Sequence, residues 1–245
     1  MDIKLVLNEN FVSISAEVIL NSIQKKLKQR PTCSIVLSGG STPIPVYEKI
    51  IKIWHEYKID WSACYFFWGD ERMVPADDKE NNAHNGIIHL LDHLPVDKNK
   101  IFRVDTGLSP AEAATQYSHT IEAFFSETGN KNFDLVLLGM GSDGHTLSLF
   151  PHQPILKDMV STVTGYYVDE SKGSRVTMMP ILVNNSSGVV FLIKGEDKSL
   201  AAYHVIQNNL ADKYSYPAKL IQPEDGNLLF IIDLDAASQL DACAG

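Results

Sequence analysis

The sequence predicts an α/β fold in which a mainly parallel, doubly wound sheet carries helices on both faces. Three observations support this prediction. Short apolar runs alternate with amphipathic helical periods along the 245 residues. These runs are nearly continuous, as in parallel strands that are buried on both faces. No Pro/Ser/Gly-rich linker or internal repeat divides the chain. We therefore expect a single Rossmann-like domain over residues 1–245, although the length alone is also compatible with two small domains.

Seven strands are predicted, each from an apolar run of strand length. In chain order they cover residues 4–7, 34–37, 64–68, 101–103, 133–138, 189–193 and 228–232. All of these runs are far too short to span a membrane, so we expect no transmembrane segment.

Three helices are predicted between these strands. The first carries apolar residues at core spacing between positions 18 and 27. The second begins after Ser109, with Pro110 at the first helical position and Glu112 completing a Ser-x-x-Glu capping box. The third covers roughly residues 197–208.

The charge and the cysteines limit the class of protein. A net charge of −9 argues against general nucleic-acid binding, which needs a basic surface, but it allows an anionic small molecule. Cys33, Cys64 and Cys243 are odd in number and widely spaced, which favours reduced thiols. The N-terminus lacks a basic segment followed by an apolar one. We therefore expect no secretory signal and a cytoplasmic location.

A glycine-rich turn follows the predicted strand 133–138 and presents Asp143, His145 and Thr146. In open α/β sheets ligands bind outside the carboxyl ends of the strands, so a histidine here is well placed for proton transfer. The glycines of this turn also match G-x-G-x-x-G, the dinucleotide-binding pattern. That pattern needs a long helix and an acidic residue about 20 positions further on. Pro151 leaves barely two helical turns, and no acidic residue stands at that distance. The catalytic interpretation is favoured.

A second glycine turn follows the strand 34–37 and contains Gly39, Gly40, Ser41 and Thr42, with Pro43 ready to begin a helix. Glycine lets backbone N–H groups approach an anion, and a helix N-terminus adds partial positive charge. An ordinary turn with a serine or threonine N-cap explains the same residues equally well. A Walker A loop is excluded because no Gly-Lys-Ser/Thr follows.

Asp70, Glu71 and Arg72 follow the strand 64–68. Arginine clamps carboxylates, phosphates and developing oxyanions in a bidentate manner. The alternative is an internal acid–arginine pair that orders the loop. We expect Arg72 to face a ligand while at least one acid holds the loop. Asp77 and Asp78 form an incomplete metal ligand set, so solvated or helix-capping roles are favoured for them.

Four further residues give only weak evidence of a binding or metal site. Arg175 and Lys198 each lie near a predicted strand end or helix start, and they indicate a binding site only if they converge on the loop of residues 38–42. His89 and His93 stand four residues apart on a predicted helix. Leucine follows His89 where zinc proteases carry glutamate, so a solvated helix face is favoured over a zinc site.

Taken in order, the segments 38–43, 68–75 and 139–151 resemble the signature segments of the 6-phosphogluconolactonase family, and the resemblance covers nearly the whole chain. The aminosugar-6-phosphate isomerases are a related family with the same fold and phosphate site. The resemblance implies that phosphate is bound by Gly40, Ser41, Thr42, Arg175 and Lys198.

Two positions separate the two families. The isomerases carry tyrosine in place of Arg72 and a catalytic glutamate in place of Phe150. Phenylalanine cannot exchange protons, so both positions favour the lactonase. An isomerase and a non-catalytic sugar-phosphate-binding protein stay open as alternatives. The latter would keep the glycine turn but would not need His145.

The resemblance implies hydrolysis of 6-phospho-D-glucono-1,5-lactone to 6-phospho-D-gluconate, a step of the oxidative pentose phosphate pathway. His145 is then the general base that activates water, and Asp143 orients it. Arg72 is expected to hold the sugar-acid end or the developing oxyanion, while Gly39 and Asp70 complete the binding site. No cofactor or metal is required, because a lactone is already an activated ester. We expect a phosphorylated sugar lactone as the partner, no nucleic acid or membrane, and a monomer or weak dimer.

Overall fold

The computed structural model describes residues 1–223 and 227–240. Within these residues the chain forms nine strands: β1 (Asp2–Val6), β2 (Cys33–Leu37), β3 (Cys64–Trp68), β4 (Asp70–Arg72), β5 (Leu135–Gly139), β6 (Val163–Tyr167), β7 (Ser174–Met178), β8 (Val189–Ile193) and β9 (Leu228–Asp233). The same residues form six α-helices: α1 (Phe11–Gln29), α2 (Pro43–Ile53), α3 (Asn82–His89), α4 (Pro110–Thr128), α5 (Pro180–Asn184) and α6 (Ser199–Ile206).

Six strands build the central sheet in the order β1-β9-β8-β5-β2-β3, and every neighbouring pair in it is parallel. The prediction of a mainly parallel sheet with helices is therefore confirmed. After β2 the chain continues to β3 on one side, and it later returns to β5 on the other side of β2. The carboxyl ends of β2 and β5 consequently lie side by side, at the point where the strand order reverses and ligands usually bind.

In the five strands of the central sheet other than β1, alternate side chains enter two separate hydrophobic clusters, one on each face of the sheet. On β2, Ile35 and Leu37 pack in the cluster that contains Phe11 of α1. Val36 points the other way, into the cluster that contains Phe124 of α4. This alternation explains why the strands are almost entirely apolar, since both faces are covered by helices.

The amino ends of β2 and β5 are joined by the buried carboxylate of Asp134. It accepts hydrogen bonds from the backbone N–H and the hydroxyl of Ser34 at 2.9 and 3.1 Å. It also forms an ion pair with Arg30 at 2.8 Å. A buried charge is tolerated when it is paired and hydrogen-bonded in this way, so Asp134 fixes the register of the two central strands.

A second sheet of three antiparallel strands, in the order β4-β7-β6, was not predicted. β4 consists of three charged residues, and β6 and β7 mix polar with apolar side chains, so no continuous apolar run marks them. Conversely, the predicted strand 101–103 is wrong, because Ile101 forms only an isolated parallel bridge to Phe66. The small sheet carries three residues that the sequence analysis assigns to a site: Asp70, Arg72 and Arg175.

His89 and His93 do not share one helix, so this expectation is wrong. α3 ends at His89 because the backbone of Leu90 leaves the helical region, and His93 lies in a separate 3₁₀ turn. His89 Nδ1 lies 3.2 Å from Glu48 Oε1, whereas His93 Nε2 lies 3.1 Å from the carbonyl oxygen of Ile88. The two rings therefore have different partners and do not face a common metal position.

Cys33 and Cys64 are unpaired, buried thiols that face each other across β2 and β3. Burial raises the pKa of the Cys64 thiol to about 12 and also raises that of Cys33. Thiols of this kind are unreactive. Cys243 lies outside the described residues.

None of the described helices is both long and apolar enough to cross a membrane.

α4 begins where the sequence predicts. The Ser109 hydroxyl accepts a hydrogen bond from the Glu112 backbone N–H, and the Glu112 carboxylate accepts one from the Ser109 backbone N–H at 3.1 Å. Pro110 occupies the first helical turn, and the helix ends at Gly129, whose φ is +69°. The capping box is therefore confirmed.

Replacing Ser109 by alanine leaves an N-terminal N–H of α4 without its acceptor. Ser109→Ala is expected to lower the free energy of unfolding by about 1 kcal/mol, measured by urea denaturation. Thr115→Ala is the matched control, because its exposed hydroxyl only bonds back to the Ala111 carbonyl within the same helix. This control should be neutral or slightly stabilising. An equal loss in both variants would show that the cap does not contribute.

Candidate active site

A cleft of about 170 Å³ opens at the carboxyl ends of β2 and β5. Four parts of the chain line it: residues 38–43 after β2, residues 70, 72 and 82 around β4 and α3, residues 139–141 and 145–147 after β5, and Lys198. These include most of the residues predicted from the sequence: Gly39, Gly40, Ser41, Thr42, Asp70, Arg72, His145 and Lys198. The sheet topology thus brings together groups that are far apart in the chain.

The turn after β5 holds His145 against Asp143. His145 Nδ1 lies 2.5 Å from Asp143 Oδ1, and the His145 backbone N–H donates to the same oxygen at 3.1 Å. The Gly141 N–H donates to the His145 carbonyl oxygen at 2.8 Å, which closes the turn. Gly144 has φ +78°, a conformation that side chains disfavour. Gly144 is therefore needed for the shape of the turn.

The Asp143 carboxylate determines which ring nitrogen of His145 carries the proton. Partial burial opposes its ionisation, but the hydrogen bonds and the charge of His145 outweigh this effect and lower the pKa of Asp143 below its ordinary value. An ionised Asp143 accepts the Nδ1 proton, so Nε2 carries the free lone pair. The His145 side chain is 31% exposed, and the Phe150 ring packs against it with 4.5 Å between ring centroids. Lys172 Nζ lies 5.2 Å from the Phe150 centroid. The arrangement presents a basic nitrogen at the cleft.

The turn after β2 presents unused donors. In the described part of the chain, the backbone N–H groups of residues 39–42 donate no hydrogen bond. Thr42 is the N-cap of α2, but its side chain forms no capping hydrogen bond. The N-cap explanation of the hydroxyls is therefore not supported. The Tyr47 hydroxyl bonds the Ser38 carbonyl at 2.7 Å and anchors the start of the turn. Free N–H groups at a helix N-terminus suit an anion.

Arg72 and Arg175 stand opposite each other on the antiparallel pair β4 and β7. Partial burial lowers the pKa of the Arg175 guanidinium, and the charge of Arg72 lowers it further. Arg72 donates to the Glu80 carbonyl at 2.9 Å and Arg175 to the Ser174 carbonyl at 3.1 Å. Neither forms an ion pair with a described carboxylate, so the alternative of an internal acid–arginine pair is not supported. Two adjacent cations without a carboxylate partner favour anion binding.

Arg175 and Lys198 reach the glycine turn from different clefts. Lys198 lines the main cleft, and its Nζ lies 3.1 Å from Asp197 Oδ2. Arg175 lines an adjoining cleft of about 410 Å³, together with Lys79. Residues 40 and 41 and Arg72 line both clefts. The two cations therefore flank the same turn, as the resemblance implies, but they do not line one cavity.

Glu71 is the acid that holds the loop after β4. It is fully buried and accepts backbone N–H hydrogen bonds from Arg72 at 2.8 Å, Asn82 at 2.7 Å and Ala83 at 2.8 Å. Burial raises the pKa of the Glu71 carboxyl to about 7, although these donors stabilise its ionised form. Glu71 therefore holds the loop through backbone hydrogen bonds and not through an ion pair with an arginine.

Sequence analysis missed three residues of the site. Ser148 donates to Asp70 Oδ2 at 2.6 Å, and the Tyr166 hydroxyl donates to the Ser148 carbonyl at 2.6 Å. Asn82 Nδ2 donates to the Asp70 carbonyl at 2.9 Å. Ser148 lies within the segment 139–151, and Asn82 follows the segment 68–75 by seven residues. For these two residues, closeness to a recognised segment is the only sign that the sequence offers. Nothing in the sequence marks Tyr166.

Comparison with known proteins gives a consistent result. A sequence profile of the family described as glucosamine-6-phosphate isomerases/6-phosphogluconolactonase matches residues 8–230. A 6-phosphogluconolactonase of Nostoc sp. is 35% identical over 234 residues, which cover 94% of this chain and 93% of that protein.

Solved structures agree with the sequence relatives. The 6-phosphogluconolactonase of Thermotoga maritima is similar with a TM-score of 0.82 and 29% identity, covering 95% of this chain and 99% of that chain. A monomeric glucosamine-6-phosphate deaminase reaches a TM-score of 0.82 with 19% identity, covering 97% and 99% of the two chains. This last similarity concerns the fold alone. The fold therefore does not separate the two activities, and individual side chains must do so.

The turn after β5 leaves no room for a side chain at Gly141, where a Cβ atom would overlap the His145 ring and the Asp143 carboxylate. Gly141→Ala is expected to break the His145–Asp143 hydrogen bond while the protein stays folded. In protein labelled with ¹⁵N-histidine, the downfield His145 Nδ1–H signal should disappear. Gly188→Ala is the control, because its Cβ would only reach ordinary contact, 3.5 Å from the Asp134 carbonyl oxygen. An unchanged His145 signal in Gly141→Ala would contradict the geometry.

Proposed function

The chain belongs to the family of glucosamine-6-phosphate isomerases and 6-phosphogluconolactonases, and we propose that it hydrolyses 6-phosphogluconolactone to 6-phosphogluconate with His145 as the general base. The profile match and the sequence relatives confirm the family that was predicted from the sequence segments. The observation that supports the mechanism is the Asp143–His145 pair, which lies beside a glycine turn with unused N–H donors. The protein is an enzyme of the pentose phosphate pathway.

The reaction needs one base that later acts as an acid. Nε2 of His145 takes a proton from water while the water oxygen attacks C1 of the lactone. Asp143 stabilises the resulting imidazolium through its hydrogen bond to Nδ1. When the tetrahedral intermediate collapses, the bond from C1 to the ring oxygen breaks and Nε2 returns the proton to that oxygen. The product is the open-chain acid, and His145 is neutral again.

The phosphate end is assigned to the turn after β2. Unused N–H groups of residues 40–42, the hydroxyls of Ser41 and Thr42, and the flanking cations Arg175 and Lys198 support this assignment. Arg72 stands between the two clefts, so it is placed to hold the sugar-acid end or the developing oxyanion. Gly39 and Asp70 line the same cleft and complete the binding site.

Phe150 favours the lactonase over the isomerase. It occupies the position of the isomerase glutamate, and its ring packs directly against His145. An apolar ring cannot carry a proton between two carbon atoms, whereas lactone hydrolysis requires only the base and water. A non-catalytic binding protein has no need for the short Asp143–His145 hydrogen bond.

The remaining features of the enzyme are inferred in the same way. We infer a single doubly wound, Rossmann-like domain over residues 1–245, because both hydrophobic clusters share the one six-stranded sheet. The cytoplasmic location, the monomeric or weakly dimeric state, the lack of nucleic-acid partners and the independence from metal and cofactor stay predictions.

The purified protein is expected to accelerate the disappearance of freshly prepared 6-phosphogluconolactone above the spontaneous rate. It should not convert glucosamine 6-phosphate to fructose 6-phosphate, because Phe150 removes the needed proton carrier. Both rates are measured on the same preparation by coupled assays. Isomerase turnover without lactonase activity would reject the proposed function, and product binding without either reaction would favour the binding protein.

His145→Gln keeps a polar side chain of similar size but removes the base. Turnover should fall by about 10²–10⁴-fold, the usual contribution of a positioned proton transfer. The Kd of 6-phosphogluconate should change far less, because the phosphate is bound elsewhere. The control is His119→Gln, an exposed histidine on α4 that should behave like the wild type. A stable His145→Gln variant with nearly full turnover would remove His145 from the mechanism.

A further inference from the structure

We propose that Asn82, held in place by the buried Glu71, is a positioning residue that sets the gap between β4 and the glycine turn of residues 39–42. Through this gap it determines how tightly the enzyme binds the phosphate end of its substrate. The proposal rests on the proposed function, because it assigns that turn to the phosphate.

The first observation is the rigidity of Glu71. It is 0% exposed, and its three hydrogen-bond donors are backbone N–H groups of Arg72 in β4 and of Asn82 and Ala83 at the start of α3. None of the three donors belongs to a flexible side chain. A carboxylate bound only to backbone groups joins two elements at a fixed distance, since neither partner can change rotamer. Glu71 thereby fixes the residues on both sides of the loop 73–81.

The second observation is the orientation of the Asn82 amide. Nδ2 donates to the Asp70 carbonyl oxygen at 2.9 Å and lies 3.4 Å from the Asp70 carboxylate. These acceptors determine which end of the amide is nitrogen. Oδ1 must then point away from β4, and it has no hydrogen-bond partner although Asn82 is only 2% exposed. An unpaired buried acceptor calls for an explanation.

Gly39 provides that explanation. A Cβ atom on Gly39 would overlap the Asn82 amide, and Oδ1 is its nearest atom. The Gly39 Cα–H therefore points at Oδ1, the geometry of a weak Cα–H···O contact. Asn82 thus spans the cleft wall, with its nitrogen on β4 and its oxygen on the glycine turn. φ at Gly39 is not in the left-handed region, so contact with Asn82 is the reason for glycine at this position.

The bridge connects the turn that is assigned to the phosphate with the strand that carries Arg72, which is assigned to the sugar-acid end or the developing oxyanion. On one side it contacts the turn whose N–H groups are unused, and on the other side it contacts the strand that carries Arg72. The Arg72 guanidinium is itself tied to the loop, through the Glu80 carbonyl at 2.9 Å. Without the Asn82 side chain the turn loses its support on this side, and its donors no longer match the position of Arg72. Small misplacements of positioning groups are costly for binding and catalysis.

The main test compares Asn82→Ala and Glu71→Gln with the wild type. Each variant is assayed with 6-phosphogluconolactone and with unphosphorylated glucono-1,5-lactone, and the Kd of 6-phosphogluconate is measured by calorimetry. KM and Kd should rise by roughly tenfold, the scale of one lost hydrogen bond to a charged group. kcat should stay within about threefold, because His145 is untouched. kcat/KM for the unphosphorylated lactone should fall much less, because this substrate does not use the turn that is assigned to the phosphate.

Two further variants separate positioning from stability. Ser109→Ala removes the cap of α4, away from the cleft, so it should lower stability without raising KM. Gly39→Ala should weaken phosphate binding because its methyl group collides with Asn82. In the double variant Gly39→Ala/Asn82→Ala the methyl group occupies the space left by the amide. Gly39→Ala should then cost less than it does alone, which is a non-additive result.

The outcomes distinguish this proposal from the proposed function. An unchanged KM and Kd in a folded Asn82→Ala protein would overturn the proposal, even with full lactonase activity. Additive effects of the Gly39 and Asn82 substitutions, or an equal loss on the unphosphorylated lactone, would overturn it as well. If the wild type showed no lactonase activity but the Kd of 6-phosphogluconate followed the expected pattern, the proposed function would fail and the positioning role would stand. Should Glu71→Gln not fold, Asn82→Ala decides the result, because it leaves the backbone bonds of Glu71 in place.

Discussion

The parallel pairing of β2 with β5 is the constraint on which the rest of the structure depends. Their residues Ile35 and Leu135 are in register, and Asp134 ties the amino ends of both strands. Because the two strands start together and run in the same direction, the turns that follow them lie side by side at the same edge of the sheet. One turn offers backbone donors and the other offers the imidazole of His145. Shifting one strand by a residue would move each of its side chains to the opposite face of the sheet and separate the two turns.

The site is built from backbone groups more than from long side chains. The donors of the turn after β2 are N–H groups, the base is held by a two-residue turn, and Glu71 is bound to backbone donors. Such groups lose little conformational freedom when a ligand arrives, so binding does not have to order them first. The flexible cations Arg72, Arg175 and Lys198 stand around this frame. They provide charge, while the frame provides the geometry.

Local sequence patterns predicted those parts of the structure that are determined locally. The apolar runs identified six of the nine strands in the described residues, and Ser109 with Glu112 identified the first turn of α4. The small sheet β4-β7-β6 was missed because its strands lack an apolar run and because β4 pairs with a strand, β7, that lies far along the chain. The same limit applies to the site. Asp143 and His145 lie two residues apart, so their contact can be predicted, whereas the contact of Asn82 with Gly39 depends on how α3 packs against the sheet.

Phe150, one of the two positions expected to separate the two reactions, packs directly on His145. A glutamate at this position would enter a site that is almost closed to water, where a carboxylate needs a nearby cation. Lys172 already lies over the ring, 5.2 Å from its centre. Lys172 also pairs with Asp169 at 3.3 Å, so a glutamate at position 150 would compete with Asp169 for the same cation. A change between the two reactions would therefore involve the charge balance of the hairpin between β6 and β7 as well as positions 72 and 150.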